Sequence, residues 1–293
     1  MAIPTRRFLR PARRDGFTLI EVLIVIAIIA LLLAIATPAL RQAKRSAAQV
    51  EETAALRELT RAYLMHTEDR KGLLPLGYNT NLTARDDRGV EIASYVAGIY
   101  TWRLAPYFDY QFELLFDSQE LEDLRASDRD AFLRGIAFAP RFGLNATFLG
   151  GDQREYGPDN ADGTYAPGNP VPERLGTQWF ARRLSDVERP SQQLVFASSY
   201  DPQTSFQQTF NLELTGNHRV RSPYLTARRW PESIPDASEP SSRIGFLAFR
   251  HNDKAVVSMI DGHAEAMGFE SLEDMRRWSP TADRSDWVLE LTR

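Results

Sequence analysis

The residues best suited to chemistry are two histidines and an aspartate in the last fifty residues of the sequence. His251 precedes Asp261 by nine intervening residues, and His263 follows two positions later. Such side chains serve as metal ligands or as acid–base pairs. However, the first two lie at opposite ends of one predicted strand, about 33 Å apart along an extended chain. We therefore expect Asp261 and Gly262 to form a type I′ turn and His251 to cap the preceding turn, with Asp261 and His263 kept as candidate metal ligands.

An acidic loop offers a second candidate metal site. Residues 150–176 are rich in Gly, Pro, Asp and Asn, and they include Asp159 and Asp162 just before Gly163. Aligned on that glycine, an EF-hand requires an acid where Pro158 stands, so this is not an EF-hand. A calcium loop and a solvated turn both remain open, and calcium is the one cofactor considered.

No catalytic motif accompanies these residues. The sequence lacks H-E-x-x-H, G-x-S-x-G, G-x-G-x-x-G and G-x-x-x-x-G-K, and His66 and His218 stand at no recognised spacing. It also has no cysteine, which excludes disulfides, zinc–thiolate sites and thiol catalysis. We predict that the protein is not an enzyme.

Charge and hydropathy place the first part of the chain at a membrane. Residues 1–16 hold five arginines and one aspartate, a net +4, so residues 17–293 carry −8 of the overall −4. This acidic body does not favour nucleic-acid binding. Residues 17–37 are almost wholly apolar and as a helix reach roughly 30 Å, the thickness of the bilayer hydrocarbon. The arginines before this single span predict a cytoplasmic N-terminus and an exported remainder.

Glu21 is the unusual residue of this span. A carboxylate inside a membrane helix costs on the order of 2.5–3.5 kcal/mol near the centre and less near the boundary, so it indicates function. Cleavage after Gly16 would create an ammonium group on Phe17 at the same depth, and Glu21 of one copy could then pair with the amine of the next. Two alternatives remain: a signal peptide cleaved after Ala34-Ile35-Ala36, and a plain signal anchor.

The segment Gly16-Phe17-Thr18-Leu19-Ile20-Glu21 resembles the cleavage and methylation signature of type IV pilins and type II secretion pseudopilins. The resemblance implies cleavage after Gly16, N-methylation of Phe17 and an assembly role for Glu21. It also implies a prepilin peptidase/methyltransferase, other pilin-like subunits, an inner-membrane assembly platform and membrane lipid as partners. The implied location is the bacterial inner membrane, single-pass, with a periplasmic head. The matching proline, Pro38, would mark a bend or loosening of the helix; the alternative is a membrane exit at which a new helix opens.

Four segments follow from this: a leader at 1–16, a transmembrane helix at 17–37, an exported amphipathic helix at 38–72 and a head at 73–293. The second helix is predicted to bury one stripe, with Glu52 on the opposite, charged face; the stripe is Leu40, Ala43, Ala47, Val50, Ala54, Leu59 and Tyr63. In the head, residues 90–108 supply an aromatic-rich part of the core, 118–134 one or two short helices, and Arg141–Phe148 a return to the sheet.

The remaining elements predict a β-meander. Gln193–Ala197 forms one short strand, and residues 244–267 form three antiparallel strands, Ile244–Arg250, Ala255–Ile260 and His263–Met267, with a terminal helix at Ser271–Trp278. His251 and Asp261-Gly262 resemble the H-X9-DG segment of large pseudopilin-like proteins. The expected fold is α+β, with a long helix packed on an antiparallel sheet with long loops. The expected function is a structural subunit of a pseudopilus or pilus; the alternative is an anchored enzyme or ligand-binding domain that reuses the leader.

Overall fold

A computed structural model describes residues 19–176, 179–202, 204–235 and 239–291. The chain divides into two compact units, Met1–Ala48 and Gln49–Arg293. The long helix α1, Leu19–Asp69, begins in the first unit and ends in the second. It covers the described part of both predicted helices, and the predicted end near Gly72 agrees with the structure.

The first unit presents an apolar helical surface. The large side chains from Leu19 to Ile35 are exposed, and the mean hydropathy of the most apolar 18-residue window of α1 is 3.2. Within the described residues, α1 is the one helix long and apolar enough to cross a membrane. From Leu19 to Thr37 it rises about 28 Å, which matches the hydrocarbon thickness of a bilayer.

The second unit is built on one antiparallel sheet. Its four strands follow chain order across the sheet, β1-β2-β3-β4, and are Phe142–Leu144, Leu194–Ser198, Lys254–Met259 and Ala264–Gly268. β2 and β3 are buried almost throughout, because both faces of the sheet are covered. The fold is α+β with a long N-terminal helix and an antiparallel sheet, as predicted.

Seven shorter α-helices accompany α1 in the described residues: α2 Ser94–Ala97, α3 Tyr100–Leu104, α4 Ser118–Ala126, α5 Arg129–Phe138, α6 Val171–Leu175, α7 Thr204–Phe210 and α8 Phe269–Leu272. The predicted helices at 118–134 are confirmed as α4 and α5. Each begins at an aspartate, Asp117 or Asp128, whose carboxylate accepts a hydrogen bond from the backbone N–H three residues later.

Alternate residues of β3 pack into two different apolar clusters, one on each face of the sheet. Val256 joins the cluster that contains α1 and the aromatic segment 92–112, where Tyr63 meets Phe196 edge to face with ring centroids 5.7 Å apart. Ala255 and Val257 join the second cluster, which includes Trp278. The segment after β4 therefore covers the sheet face opposite α1.

The face that α1 buries differs from the predicted stripe. Leu59 and Tyr63 are fully buried as expected, but Val50 is 68% exposed. Glu52, predicted on the charged face, is buried. The prediction failed there because it followed apolar residues at spacings of three and four, whereas the buried face of α1 includes a carboxylate that other parts of the head neutralise.

The predicted strand Ile244–Arg250 is also wrong. Residues 241–244 form a 3₁₀ turn, and only a short bridge pairs Leu247 with Ser199. Ser199 directly follows β2, and β2 itself pairs with β3. Residues 246–248 and β3 therefore lie one after the other along the same edge of β2, and residues 246–248 do not pair with β3. The antiparallel neighbours of β3 are β2 and β4.

The type I′ turn predicted at Asp261-Gly262 needs correction. The type I′ turn lies at Asn252-Asp253, where φ is 52° and 59°, and it is closed by hydrogen bonds in both directions between His251 and Lys254. At Asp261-Gly262 only Gly262 has positive φ, 94°, and the Gly262 N–H bonds the Met259 carbonyl. This is a three-residue connection with glycine in the left-handed position.

The C-terminal helix predicted over Ser271–Trp278 is shorter and divided. It consists of α8, Phe269–Leu272, and a 3₁₀ turn at Met275–Arg277. The indole N–H of Trp278 donates to the carbonyl of Leu272 at 2.8 Å. Burial of this large ring against the sheet holds the two turns together without a continuous helix.

Candidate functional site

Glu21 is the residue of the N-terminal signature with a proposed role that the structure describes. Gly16 and Phe17 lie outside the described residues. Glu21 lies in the first turn of α1, where the aligned peptide dipoles favour a negative charge. The apolar side chains that follow it are exposed along the helix, as a membrane helix or a helix awaiting partners requires.

Pro38 lies inside α1, and the helix continues through it. The alternative in which a new helix opens at Pro38 is therefore wrong. Proline cannot donate to the carbonyl of Ala34. One residue earlier, the Thr37 hydroxyl donates to the carbonyl of Leu33 at 2.6 Å, a side-chain bond that in helices often accompanies a bend.

A cluster of polar contacts in the head surrounds Glu52 of α1. Its Oε2 lies 2.6 Å from Nε2 of His251, and its Oε1 lies 3.3 Å from Nη1 of Arg250. The hydroxyl of Ser198, at the end of β2, donates to the same Oε1. Three groups from the sheet and its turn thus hold one carboxylate of the long helix.

Burial alone would raise the pKa of Glu52. The positive charge of Arg250 and the hydrogen bonds from Ser198 and His251 outweigh it, so the pKa of Glu52 lies below its ordinary value of 4.5. The carboxylate is therefore ionised at neutral pH. It fixes the rotation of α1 about its axis, because another rotation would bury a different side chain opposite these three groups.

This arrangement corrects the role predicted for His251. Its backbone closes the turn with Lys254, but its side chain reaches α1 instead of capping that turn. No local pattern identifies Glu52, which is separated from His251 by 199 positions. The sequence drew attention to His251 as a possible ligand or acid–base residue and through the H-X9-DG resemblance, and neither pointed to a contact with α1.

Ser198, Glu52 and His251 do not form a nucleophile relay. In a serine hydrolase the histidine lies between the serine and the carboxylate. Here the carboxylate lies between the other two, since both Ser198 and His251 bond to Glu52. The order of contacts suits anchoring of a helix.

Asp261 and His263 lie together, as candidate ligands should, but as an exposed pair. Asp261 Oδ1 lies 2.6 Å from His263 Nδ1, and Glu265 Oε1 lies 3.4 Å from Nε2 of the same ring. Asp261 also accepts the backbone N–H of His263 at 3.1 Å. Among the described residues, no group of three or more His, Asp or Glu side chains is arranged to hold a metal ion.

The candidate calcium loop is closed by its own hydrogen bonds. Asp159 Oδ2 accepts from the backbone N–H of Ala166 at 2.9 Å and from the Asn169 amide. Asp162 Oδ1 accepts from the backbone and hydroxyl of Thr164. The structure does not bring Asp159 and Asp162 to a common point with a third acid, and calcium binding stays a prediction.

Comparison with known proteins identifies the N-terminal region. Residues 11–37 match the family model described as the prokaryotic N-terminal methylation motif. Neither the curated proteins nor the solved structures compared with the chain gave a match. The matched residues contain Gly16, Phe17 and Glu21 and end at the residue before Pro38. The chain thus carries a prepilin-like signal joined to a hydrophobic helix, and this supports a type IV pilin-like precursor anchored in a membrane.

Proposed function

We propose that the protein is a structural subunit, a pseudopilin or a minor pilin, of a type II secretion pseudopilus or a type IV pilus. Prepilin peptidase cleaves it between Gly16 and Phe17, and Phe17 is then N-methylated. Before cleavage it is a single-pass protein of the bacterial inner membrane, with the leader in the cytoplasm and the head in the periplasm. After cleavage it joins other pilin-like subunits through the assembly platform.

One observation carries this proposal: the methylation motif at 11–37 continues into a single helix, α1, that ends inside the head. The later part of α1 is fastened to the head at Glu52 and through the Thr60 hydroxyl, which donates to Ser258 at 2.7 Å. A helix fixed to the head and apolar along its first part is the element that a filament subunit needs.

Glu21 supplies the proposed assembly contact. After cleavage, the Phe17 ammonium of one subunit and the Glu21 carboxylate of its neighbour lie at similar depth in the membrane. Pairing there would lower the cost of both charges in lipid. The H-X9-DG resemblance of His251 and Asp261-Gly262 favours a large, specialised subunit over a small major one.

The mature N-terminus tests the processing step. Protein purified from cells with active peptidase should begin with methylated Phe17 by mass spectrometry. A start at Thr37 would identify a signal peptide, and an intact arginine leader would identify a plain signal anchor. Gly16→Leu should block cleavage, because a side chain there obstructs the close backbone approach at the scissile bond.

Co-purification tests assembly. Glu21→Ala should lose associated pilin-like subunits while the chain still reaches the membrane, and Glu188→Ala, an exposed acid of the head, should retain them. Unchanged co-purification of Glu21→Ala would favour the alternative of an anchored enzyme or ligand-binding domain.

A further inference from the structure

The head contains a cationic cavity that the proposed assembly role does not use. It has a volume of about 500 Å³, and its lining includes three guanidinium groups, Arg154, Arg221 and Arg229, but one carboxylate, Glu155. Its formal charge is therefore +2, although residues 17–293 carry −8. A concave cationic surface on an acidic body concentrates anions.

Glu155 cannot satisfy the arginines that surround it. Its Oε1 lies 2.6 Å from Nε of Arg221, and its Oε2 lies 3.4 Å from Nη1 of Arg229. The same Oε2 also accepts the Thr147 hydroxyl at 2.8 Å. Because each guanidinium has five N–H donors, one carboxylate leaves most donors of the two arginines available.

The third arginine, Arg154, is held in position by Asp152 and Tyr78. Arg154 donates to Asp152 through Nε at 3.1 Å and Nη2 at 3.0 Å, and its guanidinium stacks 4.1 Å from the ring centre of Tyr78. Arg219 adds a fourth cation close to this group, and its Nε is buried with no hydrogen-bond partner among the described residues. Four arginines and two carboxylates again leave +2.

The nearby arginines also affect the pKa of the neighbouring histidine, His218. His218 is buried, and burial together with the positive charges of Arg154 and Arg219 lowers its pKa well below the ordinary value. The ring is neutral at physiological pH and adds no charge of its own. The positive potential therefore belongs to the arginines.

The backbone on one side of the cavity is closely packed. Gly245 has φ of 66°, and a Cβ atom there would lie 2.0 Å from the carbonyl oxygen of Arg221. The Arg221 N–H donates to the Gly245 carbonyl at 2.9 Å, and the Trp230 indole N–H donates to the Arg221 carbonyl at 3.1 Å. These contacts fix the backbone that carries Arg221 at the cavity, so less conformational entropy is lost when a ligand binds.

We propose that this cavity binds a dianionic phosphate group, either inorganic phosphate or a phosphate monoester. The planar fork of arginine matches phosphate oxygens in pairs. A dianion cancels the formal +2 of the lining, whereas a single carboxylate would leave one positive charge in excess. The proposal does not depend on filament assembly.

Calorimetric titration of the full-length chain in an uncharged detergent tests the site, with inorganic phosphate and glycerol phosphate as probes. Arg229→Gln should weaken phosphate binding about tenfold or more. Arg125→Gln is the matched control, because it removes an exposed arginine that pairs with Glu113 at 2.7 Å outside the cavity. It should bind like the parent chain.

The two probes distinguish the source of the phosphate. Tighter binding of glycerol phosphate supports a monoester ligand, and equal or weaker binding supports free phosphate. Arg221→Lys, which keeps the charge but loses the fork, covers the case in which Arg229→Gln fails to fold. The proposal is overturned if neither probe binds at about 10 mM, if acetate binds as tightly as phosphate, or if the folded cavity variants bind like the parent chain.

Discussion

The carboxylate of Glu52 on the long helix lies 2.6 Å from the imidazole of His251, which is in the turn that leads into β3. Both side chains are 8% exposed. The contact joins residues 199 positions apart and links the helix to the sheet. The turn before β3 and the helix that begins within the methylation motif therefore meet at one ionised carboxylate.

Glu52→Gln should reduce the free energy of unfolding by about 1–3 kcal/mol at neutral pH, because Arg250 and His251 then face a neutral group. Denaturant unfolding of the full-length chain in detergent, followed by tryptophan fluorescence, measures it. Glu51→Gln is the control: its carboxylate is 74% exposed and 3.8 Å from Arg141, so the change should stay within about 0.5 kcal/mol.

The same variant has a predictable pH dependence. The pKa of Glu52 is lowered in the folded chain, so its contribution is complete above the unfolded value and is lost as pH falls through the folded one. The difference in unfolding free energy between the parent chain and Glu52→Gln should therefore shrink in acid. A difference that grows on acidification would contradict the assigned charge state.

His66 should make the head sensitive to acid over a higher pH range. Burial, with the charges of Arg103 and Arg70, lowers its pKa to about 3 from 6.5. The unfolded chain therefore binds a proton between these values that the folded chain does not, and stability falls as pH drops from about 6.5 toward 3, by about 1.4 kcal/mol per pH unit.

His66→Phe removes this titration and keeps an aromatic ring beside Tyr107, whose ring centre lies 5.5 Å away. Unfolding free energies measured at several pH values should show a shallower slope in this variant than in the parent chain. Met65→Ala changes the exposed neighbouring residue and should keep the parent slope. Equal slopes in His66→Phe and the parent chain would argue against a buried neutral histidine.

The packed face of α1 can be tested with two truncations. Leu59 is fully buried against the sheet, so Leu59→Ala should cost about 2–5 kcal/mol of unfolding free energy. Val50 is 68% exposed, and Val50→Ala should change it by no more than about 0.5 kcal/mol. Comparable losses by denaturant unfolding would instead favour the stripe predicted from spacing.

The location of the type I′ turn can be tested with glycine. Asp253 has φ of 59°, so Asp253→Gly should stabilise the fold by about 0.5–1 kcal/mol by relieving a left-handed residue. Asp261→Gly should destabilise it, because Asp261 accepts the His263 N–H at 3.1 Å. Thermal unfolding of both variants measures the effect. Destabilisation by Asp253→Gly together with stabilisation by Asp261→Gly would instead favour a type I′ turn at Asp261-Gly262.

Much of the helical structure was predictable from sequence because its causes are local. Residues 1–37 contain an arginine-rich leader, a continuous apolar segment and a carboxylate at a defined spacing. The length of the apolar segment matches the thickness of a bilayer, and the arginines indicate which side the leader stays on. Helices α4 and α5 were predictable for the same reason, since each carries its own aspartate cap. The aromatic segment 90–108 was identified as core because large apolar side chains have few other stable places.

Pairing between distant segments was decided only by the tertiary structure. Residues 244–250 have the alternation of a strand. However, β3 occupies the edge of β2 with which they would pair, so they form only a short bridge beyond the end of β2. Glu52 looks like a surface acid in the sequence, and only a folded head brings Ser198, Arg250 and His251 to it. The four arginines around Glu155 and Asp152 come from two separate loops. The apolar N-terminal helix and its methylation signal were determined by the sequence alone, because their causes lie in neighbouring residues. The polar contacts of the head were decided by the tertiary structure, because burial and neutralisation of charge depend on residues that are close in space and distant in sequence.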